Sequence, residues 1–144
     1  MNRILLILAL TGLATVATAA EAPALPGTSA PAAARVYIIS PADGATVGQE
    51  FTVRFGLEGM GVAPAGVTRE HTGHHHLLVD VKTLPAAGQP IPADANHIHF
   101  GGGQTQTTLK LAPGTHTLQL ELGDANHVPF VPAVVSKKIT VHVK

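Results

Sequence analysis

Apolar and polar residues alternate along most of this chain in short, β-branched runs punctuated by turn residues, the pattern of an all-β domain. "RVYIISP" ends at Pro41 and is followed by the turn "ADGA". In "EFTVRFGLEG", Phe51, Val53, Phe55 and Leu57 fall on one face, with Thr52, Arg54 and Glu58 among the polar positions opposite. "HHHLLVDVK", "HIHF", "TQTTLKLAPG", "GTHTLQLELGD" and "VVSKKITVHVK" bring the total to about seven strands. No segment sustains a helical period of 3.6. A single sheet cannot bury both faces, so the expected fold is an immunoglobulin-like or cupredoxin-like β-sandwich. "ISPADGATV" and "KKITVHV" read as its first and last strands.

The same period of two sorts the histidines. In "HHHLLVDV", His75, Leu77, Val79 and Val81 share a face that reads as core, while His74, His76, Leu78 and Asp80 share the other. Residues i and i+2 are about 6.6 Å apart along a strand, from which two imidazoles can lean onto one ion. "NHIHF" likewise sends His97 and His99 to one face and Ile98 and Phe100 to the other. Two His-x-His pairs on strands point to a metal centre, provided His74 and His76 meet His97 and His99 across the sheet. His71 precedes Thr72 and Gly73, which break the period, so its place is open. His116 shares a face with Leu118 and Leu120 directly after a Pro-Gly turn. It is expected to point inward and hydrogen-bond back to backbone, as the tyrosine of a sandwich corner does. His142, beside Val141 and Val143, reads as a solvent-facing residue of the last strand.

"DANHIHF" (94–100) and "DANHVPF" (124–130) share a turn signature. Asp and Asn side chains cap nearby backbone amides, so each copy can present a histidine, His97 or His127, from a fixed bend. The candidate metal ligands are therefore His74, His76, His97, His99 and His127. "HFGGGQT" lacks the lysine and the following helix of a phosphate cradle, and its glycines are expected to let backbone pass close to the histidines or to make a tight bend. Met60 is expected to pack, with Cu(I) ligation as the alternative.

The amino terminus narrows the setting. "MNR" carries a positive charge, "ILLILALTGLATV" is an apolar run shorter than the roughly 20 residues of a membrane span, and "ATAAEA" supplies small residues for cleavage near Ala19 or Ala20. Residues 1–20 are expected to be a signal peptide, 21–34 an Ala/Pro-rich linker and 35–144 one sandwich domain, periplasmic or secreted and not membrane-embedded. Loss of Arg3 would turn nine Lys/Arg against nine Asp/Glu into eight against nine, a charge of −1 with neutral histidine. That balance, with no tryptophan and one tyrosine, argues against nucleic acid as a partner. The absence of cysteine excludes disulfides, thiolate ligands and a mononuclear blue-copper centre.

"GMGVAPAG", "TGHHHLLVD", "IPADANHIHFGGGQT", "GTHTLQLELGDANHVPF" and "SKKITVHV" together resemble an exported bacterial family, the domain of unknown function 4399, over nearly all of 35–144. The resemblance implies no established activity. The family pattern carries a further histidine where this chain has Phe130, which leaves the "HHH" and "HIHFGGGQT" segments as the better candidates.

The expected function is an extracytoplasmic module binding a copper or zinc ion, Cu(II) or Zn(II), through its histidines. One alternative is a binding or adaptor sandwich with structural or pH-sensing histidines. The other is a histidine-only copper or zinc enzyme of superoxide dismutase type, with Asp80 or Glu70 as base or partner of a ligand. The protein partner is open in each case.

Overall fold

The structure is a computed structural model that describes residues 23–144; the segment expected to be a signal peptide lies outside them. Among the described residues, nine strands run in the order β1 (Arg35–Ser40), β2 (Ala45–Val47), β3 (Glu50–Glu58), β4 (Gly61–Val62), β5 (Thr72–Val79), β6 (His97–His99), β7 (Gln106–Lys110), β8 (Gly114–Gly123) and β9 (Ile139–Val143). No helix is found among the described residues. The strands form a β-sandwich of two sheets, one ordered β1-β3-β7 and the other β2-β9-β8-β5-β4, with β6 pairing β5 beside β4. All seven strands expected from alternation are present. The additional two, β2 and β4, have three and two residues, too few for a period of two to register.

Strand β5 is central to the larger sheet. Along one side it pairs antiparallel with β8, from His74 opposite Gly123 to Val79 opposite Leu118. Along the other, β6 places His99 opposite His76 and His97 opposite Leu78. This register gives β5 and β8 a common inner face of His75, Leu77, Val79, Leu118, Leu120 and Leu122. That face packs on Val36, Val53, Phe55 and Leu109 of the smaller sheet. Met60 packs at the margin of the same core. Val81, which alternation placed with this face, lies past the strand end, because Asp80 adopts φ 57° and turns the chain away.

The opposite face of β5 is buried too, with His74 at 0% and His76 at 1% exposure. The long connection from β5 to β6 reaches the turn after β8, where the Ile91 amide donates to His127 O at 2.8 Å. Residues 28–31, in the stretch expected to be a linker, lie along the same turn: Ala30 N donates to Val131 O at 3.0 Å and Val131 N to Thr28 O at 2.8 Å.

Candidate metal centre

Three segments converge on the outer face of β5. Alternation puts His74 and His76 there side by side, with ring centroids 4.8 Å apart. Antiparallel pairing brings His99 over His76, the rings stacked at 5.1 Å, and within 5.0 Å of His74. The fourth ring arrives from the turn after β8. Asp124 Oδ1 accepts the amides of Asn126 at 2.8 Å and Val128 at 3.0 Å, closing a bend in which His127 takes φ 65°. This sets the His127 ring 5.1 Å from that of His74 and 4.7 Å from that of His99.

One nitrogen from each of His74, His76, His99 and His127 falls within 4.8 Å of all the others, a group that could hold a metal ion. His74 Nε2 and His127 Nδ1 are 3.2 Å apart. Four nitrogens at about 2.0–2.1 Å from a tetrahedral ion are separated by about 3.3–3.4 Å, so this pair already has the length of a coordination edge. His76 also fits a cation on hydrogen-bonding grounds: its Nδ1 is buried without a partner, and a buried unpaired polar atom costs about 1–3 kcal/mol.

Glycines provide the room. A Cβ at Gly123, opposite His74, would come 2.7 Å from His76 Cε1, and one at Gly101 would collide with the His99 ring. Close passage of backbone and imidazole, expected of the "GGG" segment, is therefore found at Gly101.

The electrostatics favour the neutral form of His74, His76 and His99, which is the form that binds metal. Burial, then the neighbouring His127 and His99, lower His74 to about 4, with the Asp124 carboxylate acting in the opposite direction. Burial, followed by His74, His99 and His127, takes His76 to about 3. His99, at the exposed margin, is lowered by burial and by His127.

The remaining histidines separate from this group. His97 is not brought into it: its Nδ1 lies 2.9 Å from Asp94 Oδ1, folded back on its own turn. His75 is inside, its ring 5.2 Å from that of Phe55. His71 is exposed at φ 55°, its Nε2 3.4 Å from Glu70. His116 makes the expected bond back to backbone, Nε2 to Ala112 O at 2.9 Å, and adds Nδ1 to Asp80 Oδ2 at 2.7 Å. His142 is exposed on β9. Asp80 is thus engaged by His116, and Glu70 is an exposed neighbour of His71.

One side chain near the centre gave no signal in the sequence. Glu121 occupies the β8 position opposite His76, is 1% exposed, and has a buried Oε2 without a partner. Burial pushes its carboxyl up to about 7. In "LQLELG" it reads as an ordinary solvent-facing residue, and only the strand register shows what lies beside it.

The model of the domain of unknown function DUF4399 matches residues 53–144. The chain belongs to the DUF4399 family. The DUF4399 match takes in all four clustered histidines and begins within β3, so residues 28–31 lie before it. Phe130 is buried in the hydrophobic core, and His127 of the same turn joins the cluster. No curated protein matches the chain. Among solved structures, the fibronectin(III)-like modules of Clostridium thermocellum CbhA are similar at 14% identity and a TM-score of 0.37, over 76% of this chain and 95% of theirs. Among the described residues, no helix is long and apolar enough to cross a membrane.

Proposed function

We propose that this protein is an extracytoplasmic metal-binding module that holds one Cu(II) or Zn(II) ion through His74, His76, His99 and His127. The observation that carries the reading is the convergence of four imidazole nitrogens from three segments within 4.8 Å. The export signal read in residues 1–20 supports the compartment. An all-imidazole donor set suits both metals, since imidazole is a ligand of intermediate softness. Four protein nitrogens complete a tetrahedral shell, whereas catalytic zinc sites usually keep a position open for water, so the geometry favours holding an ion over turning over a substrate.

The test is calorimetric titration of the metal-stripped protein. The expected result is one ion per chain bound tighter than about 10 μM, with binding abolished when all four histidines become alanine. Absence of such binding, or retention of it by the quadruple variant, would overturn the proposal.

A further inference from the structure

His127 is the one member of the cluster that no strand positions, and it sits in the left-handed region that non-glycine residues seldom occupy. What holds it there is visible by comparison with the sister turn. In both "DANH" turns the first aspartate accepts the asparagine amide at 2.8 Å, from Asn96 or Asn126. Asp94 Oδ1 also takes the His97 amide at 2.9 Å and the His97 ring at 2.9 Å, and its histidine is spent on its own cap. Asp124 is bound differently. Its Oδ1 takes the Val128 amide, one residue further on, and its Oδ2 accepts the Thr28 hydroxyl at 2.6 Å. The His127 ring is left free to reach His74.

Thr28 belongs to a segment that clasps the far end of the same turn. Val131 N donates to Thr28 O at 2.8 Å, Ala30 N to Val131 O at 3.0 Å, and Ser29 bridges Val131 in parallel. A side chain at Gly27 would collide with the Val131 side chain, so the close approach depends on glycine there. Both ends of the turn that displays His127, Asp124 and Val131, are therefore fastened by residues 28–30.

We infer that Thr28 and Asp124 are positioning residues for His127, and that the amino-terminal segment acts as a strap setting the fourth ligand of the metal centre. This inference rests on the metal-binding reading above. With the strap fastened the site is a four-nitrogen shell; without it the centre falls back on His74, His76 and His99. Binding of the ion and docking of residues 28–30 are then coupled, each favouring the other.

The experiment uses the full chain and its T28V, T28S, H127A and T28V/H127A variants, titrated with Zn(II) and recorded as visible spectra with Co(II). T28V is expected to weaken Zn(II) binding by about tenfold or more, the scale of a hydrogen bond to a charged group. Its Co(II) spectrum should move towards that of H127A, and T28S should restore both readouts. In the H127A background, T28V should cost no further affinity. Unchanged binding by T28V, or an equal loss with and without His127, would overturn the inference while leaving the metal site intact. Failure of the unsubstituted chain to bind either ion would overturn the metal-binding reading and this inference with it.

Discussion

On the buried outer face of β5 and β8, neighbouring side chains respond to pH in opposite senses. His74 and His76 have folded values of about 4 and 3 against 6.5 when unfolded. In metal-free protein their contribution is intact above pH 6.5 and is lost as pH falls towards those folded values. Glu121 has a folded value of about 7 against 4.5. Its contribution is intact below pH 4.5 and is lost as pH rises through 7. The drifts overlap between pH 4.5 and 6.5, and substitution separates them. In melting experiments from pH 4 to 8, E121Q is expected to remove roughly 2–4 kcal/mol of the loss on the alkaline side. An unchanged alkaline drift would show that Glu121 ionises freely in the fold. The faces of His74, His75 and His76 were legible because the alternation is strict through Val79. The neighbour of His76 was not, since a lone glutamate between leucines looks the same whether water or another segment covers it.

At the level of elements, the ends of β5 and β8 are pinned by one side-chain pair. Asp80, at φ 57° where the chain leaves β5, accepts the His116 ring and the Thr117 amide at 2.8 Å. Burial acts to raise the Asp80 carboxyl, but the bonds from His116 and Thr117 prevail and lower it; the bond to Asp80 raises His116. The Asp80 contribution is present above its ordinary 3.8 and is lost as pH falls through its lowered value. The His116 contribution is present below 6.5 and is lost as pH rises through its raised value. D80N tolerates the same backbone and is expected to lower the melting temperature by about 5 °C, most strongly between those limits, with metal affinity unchanged. A loss of affinity equal to that of a ligand substitution would contradict the separation of this corner from the metal centre. The bond of His116 back to backbone could be read from the sequence, because the Pro-Gly turn and the leucine face of β8 both point it inward; its pairing with Asp80 could not. The fates of the two "DANH" turns could not. The same four-residue signature presents one histidine to the cluster and folds the other onto Asp94, and only Asp124 of the two aspartates is bonded by Thr28, almost a hundred residues away.

Over the whole molecule, the sandwich followed from the density of turns and the β-branched alternating runs, which leave no other way to bury the leucine and valine faces. The histidine cluster on its outer face depended on register: β6 is three residues long, yet its pairing with β5 decides that His99, and not His97, meets His76. The long β5–β6 connection and residues 28–31, both hydrogen-bonded to the turn that carries His127, carry no periodic signal. The most direct measurement is zinc-edge X-ray absorption of the protein loaded with one equivalent of Zn(II). A four-histidine centre predicts four nitrogen neighbours at about 2.0–2.1 Å, with the outer-shell scattering of four imidazoles. A spectrum lacking the outer-shell imidazole scattering, or one unchanged in the quadruple alanine variant, would contradict it.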